Sequence, residues 1–296
     1  MGQTLAELEH QLDSLLRKKE KSELVASVGY GNNPAYGSQT PNYELPLVMK
    51  TFISPSLTYY HKSGFYGSIS GYYLFDSYKD PWYEWDFTAG YDYTKNDKLL
   101  TGISYTRYLF ADSSDVPLSP INNELFAYFY YRKWWLEPGV SVDLGWGKTV
   151  TEGMHDGLKS RTTLQGHDFN IITAVRHPFI FTGLFTAKDA VLLTPSFALT
   201  MGTANYFSNL KGFQYYTRST KPSKPAHKPG APITKPVDIT NELVTGFEPR
   251  ALDLTVNVSY LIGKVSLSPS YTVFKTFNTG ENGLLSYFTA KLSYSF

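Results

Sequence analysis

The sequence predicts an all-β protein, a 12-stranded antiparallel transmembrane β-barrel with a short N-terminal amphipathic helix. Three observations lead to this fold class. Apolar and polar residues alternate with a period of two along about a dozen segments. Aromatic residues make up 16% of the chain although the mean hydropathy is −0.27, which suits strands with an aromatic outer surface. Short and long connections also alternate along the chain, as they do in transmembrane barrels.

Composition and charge exclude several classes of function. The net charge of +1 gives no reason to expect a nucleic-acid partner. The absence of cysteine excludes disulfides and thiolate metal sites. No run of eighteen apolar residues is present, so the sequence predicts no transmembrane helix. The six histidines lack the spacing of a metal-binding motif, and we expect neither a metal nor a cofactor.

The first 22 residues form a separate N-terminal unit. Residues 4–19 predict a helix, since Thr4 and Glu7 form a capping-box pattern. Four leucines recur at helical spacing and form one apolar stripe: Leu5, Leu8, Leu12 and Leu15. Because a stripe of this kind needs a surface that buries it, we treat these leucines as candidates for binding a partner.

The barrel is predicted to span residues 23–296. Its alternation is sharpest in the fourth strand, where Tyr83, Trp85 and Phe87 are assigned to the lipid-facing side. The twelve predicted strands are 23–31, 52–61, 64–74, 82–93, 98–109, 122–132, 134–147, 167–177, 190–204, 250–261, 264–275 and 284–296.

Four prolines fall inside predicted strands. Each removes a donor from the hydrogen-bond ladder, which a sheet without edges tolerates poorly. We expect them to mark bulges: Pro55, Pro138, Pro195 and Pro269.

The connections between the predicted strands divide into two groups. Those near 62–63, 95–97, 132–134 and 262–264 are tight, and 178–189 is moderately long. The others are longer and all fall at the opposite end of the barrel: 32–51, 75–81, 110–121, 148–166, 205–249 and 276–283. The longest of them contains a Lys- and Pro-rich segment, whose composition predicts an extended surface loop.

The last strand carries the most specific pattern. Its alternate positions up to the final residue are aromatic, apolar or small, including Phe288, Leu292, Tyr294 and Phe296. A terminal Phe after such an alternation resembles the C-terminal strand of Gram-negative outer-membrane β-barrels. The Tyr-rich strands also resemble barrels of Bacteroidetes-type envelopes.

The resemblance to outer-membrane barrels implies a location and partners. It implies the cell outer membrane with both termini in the periplasm, contact with outer-membrane lipid, and an insertion signal at Phe288, Leu292, Tyr294 and Phe296 that the barrel-insertion machinery recognises during biogenesis.

The polar faces of the strands supply candidates for lining the lumen, and acids outnumber bases among them. An acidic interior favours a narrow, cation-leaning pore, whereas a self-plugged interior is equally compatible with twelve strands. The candidates are Glu84, Asp86, Asp92, Glu124, Glu137, Asp143, Asp168, Arg176, Asp253 and Lys291.

Three functions remain compatible with the sequence. The first is a non-catalytic accessory or scaffold subunit of a larger envelope assembly, docking through the leucine stripe and the Lys/Pro-rich loop. The second is a passive, cation-leaning channel for small solutes. The third is an outer-membrane hydrolase using His155, His167 and Asp168, although the sequence shows no nucleophile beside a base and we assign no catalytic residue. His61 and Ser63 have the spacing of a phospholipase pair but fall in a predicted turn.

Overall fold

The structure is a computed structural model, and its described residues are 22–36, 47–75, 81–93, 95–96, 98–111, 121–155, 158–186, 189–203, 239–242, 247–277 and 283–296. In these ranges the chain forms fourteen strands. They are β1 (Glu23–Tyr36), β2 (Leu47–Tyr60), β3 (Phe65–Leu74), β4 (Trp82–Tyr93), β5 (Leu99–Phe110), β6 (Asn123–Tyr131), β7 (Glu137–His155), β8 (Leu158–Arg176), β9 (Phe179–Thr182), β10 (Asp189–Gly202), β11 (Ile239–Glu242), β12 (Glu248–Ile262), β13 (Val265–Thr276) and β14 (Leu285–Ser295).

Twelve of the described strands close into an antiparallel barrel, which confirms the predicted fold class. Each strand from β1 to β8 pairs with its neighbour, and the sheet continues from β1 through β14, β13, β12 and β10 back to β8. The seam between first and last strand runs from the Val25–Ser295 pair to the Gly31–Thr289 pair. No helix in the described ranges is long and apolar enough to cross a membrane. The predicted N-terminal helix lies outside the described residues.

The two remaining strands extend the wall. Strand β9 continues β8 after a break at His177 and Pro178, and pairs with the first part of β10. Strand β11 pairs in parallel with residues 162–165 of β8. The prediction of a moderately long connection over 178–189 is therefore wrong in detail. Because β9 continues the pairing with β10, the connection is shorter and comprises residues 183–188.

The two ends of the barrel differ, as the sequence predicted. At one end, called the turn end, lie the connections 61–64, 94–98, 132–136, 183–188 and 263–264, together with both ends of the barrel chain. Gly263 has a φ of 58° in its two-residue turn, a conformation that glycine adopts without strain. The opposite end, called the loop end, carries the connections between β1 and β2, β3 and β4, β5 and β6, β7 and β8, β10 and β12, and β13 and β14.

The predicted connection 148–166 is a long hairpin instead of a loop. Strands β7 and β8 have 19 residues each and stay paired as far as His155 and Leu158. On either side the barrel wall ends earlier, since β6 pairs with β7 only to Trp146 and β10 pairs with β8 only to Asn170. The hairpin therefore projects beyond the rim at the loop end.

The prolines do not mark bulges, so that prediction is wrong. At each proline the register continues on one side of the strand, as in the Val28–Pro55 pair, while the other ladder is interrupted or ends. The β2–β3 ladder skips Ser54 and Pro55, and Pro195 lies opposite the break between β8 and β9. The missing N–H thus coincides with a missing ladder bond; Pro138 and Pro269 follow the same rule.

Candidate functional site in the barrel lumen

The barrel separates an apolar exterior from a largely polar interior. Large apolar side chains such as Val28, Leu57 and Leu254 are exposed on the outside. Residues between them point inward and are buried, among them Ser27, Thr58 and Thr255. This alternation is the pattern of a barrel that has lipid outside and polar groups inside.

Apolar and aromatic side chains pack together inside the barrel near the loop end. Phe52, Tyr72, Leu74 and Tyr83 form one buried cluster against Phe110. A second buried cluster comprises Ala251, Phe274 and Tyr287. Aromatic packing of this kind narrows the interior at the loop end.

A bulge in β4 places Tyr83 in the lumen, which corrects its predicted lipid-facing position. Tyr72 pairs with Glu84 and Tyr73 pairs with Trp82, so Tyr83 is the extra residue. Tyr83 and Glu84 consequently both point inward, with Tyr83 2% exposed. On the outside the bulge brings Trp82 and Trp85 to the same face, where their rings stack with centroids 5.2 Å apart.

A second bulge places Arg250 in the lumen by the same mechanism. The β10–β12 register shifts between Thr200 and Met201, which leaves Arg250 as the extra residue of β12. Its side chain is 2% exposed, and its Nε donates to the carbonyl oxygen of Gly202 at 2.6 Å. The alternation of apolar and polar residues does not indicate this inward cation.

The charged residues predicted to line the lumen differ in how far they are exposed. Most are buried, some are partly buried, and one, a lysine, is exposed. The buried group comprises Glu84, Asp86, Glu124, Glu137, Asp143 and Asp168; Asp92, Arg176 and Asp253 are partly buried, and Lys291 is exposed. Asn170 donates to Asp143 at 3.2 Å, and the hydroxyl of Tyr128 donates to Asp92 at 2.8 Å.

A cavity of about 500 Å³ occupies the lumen on the side of β6, β7, β8, β10, β12 and β13, and we call it the lumen cavity. Its lining is rich in small hydroxyl side chains, which the sequence analysis did not single out. They include Ser141, Thr194, Ser196, Thr200, Thr255 and Ser259. The volume lies within the range of ligand-binding cavities in proteins.

A group of three charged residues lies where the lumen cavity approaches the turn end. Glu137 accepts from Arg176 at 2.8–2.9 Å and from Arg132 at 3.4 Å. The guanidinium of Arg176 also lies 4.3 Å from the centre of the Tyr130 ring, within the range of a cation–π contact. One carboxylate is thus shared by two cations.

Glycines lie directly opposite tyrosines in the part of the barrel near the turn end. Gly139 lies directly opposite Tyr130 in the ladder, and a methyl group on it would overlap the Tyr130 ring. The same arrangement recurs where Gly90 faces Tyr66 and Gly102 faces Tyr128. Each ring lies against the glycine of the neighbouring strand, in the place that a larger side chain there would take.

The residues considered for catalysis do not come together. His167 is exposed while its neighbour Asp168 is buried, because successive residues of a strand point to opposite faces. The side chain of His155 lies outside the described residues. Nδ1 of His61 is 2.6 Å from Oγ of Ser63, but both belong to an exposed turn at the turn end. In the described part of the chain, no group of three or more His, Asp or Glu residues is placed to hold a metal ion.

The remaining predicted residues divide between the outer surface and the part outside the described ranges. Phe288, Leu292, Tyr294 and Phe296 are exposed on the outer face of the last strand. Leu5, Leu8, Leu12 and Leu15 lie outside the described residues, as does the Lys/Pro-rich segment of the 205–249 loop.

Solved structures share this fold, although no protein-family model and no curated protein matches the sequence. The translocator domain of the autotransporter NalP from Neisseria meningitidis aligns with a TM-score of 0.53 and 9% identity, over 98% of this chain and 95% of that one. An outer-membrane channel from Pseudomonas putida F1 aligns at 0.48 with 10% identity, over 95% and 97% of the two chains. The NanC porin aligns at 0.43 with 9% identity, over 92% and 98%. The likeness to the NalP domain supports the fold of an outer-membrane β-barrel.

Proposed function

We propose that the protein is a non-catalytic outer-membrane barrel, with both termini in the periplasm, whose lumen conducts small polar solutes by passive diffusion. The observation that carries this proposal is the hydroxyl-lined lumen cavity inside a closed wall. Walls lined with hydroxyl groups replace part of the hydration of a passing solute without trapping it. The separation of His167 from Asp168 favours a channel over a hydrolase.

Acids at the loop end give the channel a preference for cations. Asp86 and Asp143 are each at most 2% exposed and belong to the inward face. In a narrow lumen such carboxylates attract cations more strongly than surface charges do, because less water screens them.

The test is the double variant Asp86→Asn and Asp143→Asn in planar lipid bilayers. We expect the reversal potential in a KCl gradient to move toward zero, because two carboxylates that favour K⁺ over Cl⁻ are neutralised. Glu248→Gln is the matched control, since Glu248 is exposed at the loop end. A barrel that migrates as folded in unheated gel samples yet gives no conductance would contradict the channel.

A second candidate is the accessory or scaffold subunit of an envelope assembly, favoured by the projecting hairpin of β7 and β8. This sheet rises beyond both neighbouring strands and gains β11 on one side. It offers a surface at the loop end that the barrel wall does not need for closure.

The leucine stripe provides the test of this candidate. Leu8→Asp with Leu12→Asp should release partners that co-purify with the barrel, because charge on the stripe prevents its burial. His10→Asp with Ser14→Asp places the same charges on the opposite face of the predicted helix and should retain them. Equal recovery of partners with both double variants would contradict the scaffold.

A further inference from the structure

Two hydroxyl groups that line the lumen cavity, those of Thr255 and Ser259, are each paired with a second hydroxyl on β13. Oγ1 of Thr255 is 2.9 Å from Oγ1 of Thr272, and Oγ of Ser259 is 3.1 Å from Oγ of Ser268. Each hydroxyl both donates and accepts a hydrogen bond. A solute that carries several hydroxyl groups can therefore join these pairs without leaving a donor or acceptor unsatisfied.

The charges that line the lumen cavity are balanced. Its charged lining residues are Arg176 and Asp253, of opposite sign. Arg176 is held by Glu137 at 2.8 Å, and Thr255 donates to Asp253 at 3.5 Å. This balance contrasts with the acids of the loop end, and it favours a solute without net charge.

Apolar surface accompanies the hydroxyl groups. Phe126, Ile172 and Leu192 line the same cavity, so the wall combines hydrogen-bonding groups with apolar side chains. A sugar ring has the matching chemistry, with hydroxyl groups at its edge and C–H groups on its faces.

We propose that the lumen cavity is a binding site for a neutral sugar of one or two rings. The proposal rests on the proposed function in one respect, that solutes reach the cavity through the lumen. It adds a chemical class of solute and a saturable site, neither of which passive diffusion requires.

The experiment is a calorimetric titration of the full-length folded barrel with sucrose, in an amine oxide detergent so that no sugar headgroup competes. We expect saturable binding. Glucose should bind more tightly than glucuronate and glucosamine, which keep the ring but add one negative or one positive charge.

Variants locate the site. Thr194→Val with Thr200→Val removes two inward hydroxyl groups at nearly constant shape, and we expect the Kd for sucrose to rise about tenfold. Thr173→Val is the matched control, because Thr173 is exposed on the face of β8 that points away from the cavity. The Kd of this variant for sucrose should equal that of the wild type. If the double variant fails to fold, Ser196→Ala with Ser259→Ala makes the same test.

The outcomes separate this inference from the proposed function. A site with a millimolar Kd would be filled at roughly 100 mM sucrose. A barrel that conducts but shows no saturable binding up to that concentration overturns this inference and leaves the proposed function standing. Tighter binding of glucuronate or glucosamine than of glucose also overturns it. Sucrose binding that depends on Thr194 and Thr200, in a barrel that gives no conductance, supports the site and contradicts the channel.

Discussion

At the scale of single residues, the shape of the lumen depends on where glycine lies opposite tyrosine. The rings of Tyr66, Tyr128 and Tyr130 each cover a glycine on the adjacent strand. A glycine alone is a poor strand residue, and an aromatic ring across it restores the lost packing. The high tyrosine content therefore serves the inside of the barrel as well as its outer surface.

Gly139→Ala tests this arrangement. The added methyl group would overlap the Tyr130 ring, so the ring must leave its place under Arg176. We expect the free energy of unfolding to fall by about 1–3 kcal/mol, the usual cost of overpacking. The folded band on a gel should then disappear at a lower temperature than in the wild type.

Gly67→Ala is the matched control for this substitution. The nearest atom to its new methyl group would be the carbonyl oxygen of Thr88 at 3.8 Å, an ordinary contact. Its stability should stay close to that of the wild type, and an equal loss in both variants would contradict the role of Tyr130.

At the scale of elements, two local departures from regular alternation decide what enters the lumen. The extra residues Tyr83 and Arg250 both arise where a ladder shifts by one position, and both shifts lie toward the loop end. Bulges commonly re-aim side chains near functional sites. Here they add one aromatic ring and one cation to the narrow part of the interior.

The hairpin of β7 and β8 can be removed without loss of any pairing among the twelve barrel strands outside it, although β11 loses most of its partner residues. Lys148 and Gln165 are partners in the ladder. Replacing residues 149–164 by Asn-Gly connects them through a favourable two-residue turn. We expect unchanged heat stability and conductance, with loss of any co-purifying partner at the loop end. Failure of this variant to insert would show that the hairpin belongs to the barrel itself.

The sequence predicted the twelve wall strands because lipid on one side and polar groups on the other impose a strict period of two. Leu254 and Asp253 could be assigned to opposite faces from this period alone. Tyr83 could not, because a bulge depends on the pairing with β3, which no local pattern encodes. The ion group of Glu137 with Arg132 and Arg176 could not be predicted without knowing which strands are neighbours. The lumen cavity could not be predicted either, because its shape depends on how the twelve strands close into a barrel.

At the scale of the whole molecule, the C-terminal residue joins the two ends of the barrel chain. The N–H of Phe296 donates to the carbonyl oxygen of Leu24 at 2.9 Å, while the residue as a whole is 66% exposed. The ring packs edge-on against Tyr294, with 5.0 Å between the ring centroids. We propose that its main role is in insertion, as an insertion signal.

Phe296→Ala separates these two roles. We expect severalfold less barrel in the outer membrane but an unchanged heat stability of the fraction that folds, since the backbone hydrogen bond is retained. Leu284→Ala, which truncates another exposed side chain just before β14, should leave the amount unchanged. A parallel fall in amount for both variants would contradict an insertion signal at Phe296.

The seam between β1 and β14 has a consequence for the order of assembly. Most other neighbours along the wall are close in sequence, but Val25 pairs with Ser295, and the entropy of closing a loop grows with its length. Hairpins can form early, whereas the barrel closes only when β14 is present to pair with β1. We therefore expect an open, curved sheet as the late folding intermediate, with its two unsatisfied edges at β1 and β14 as the points where aggregation begins.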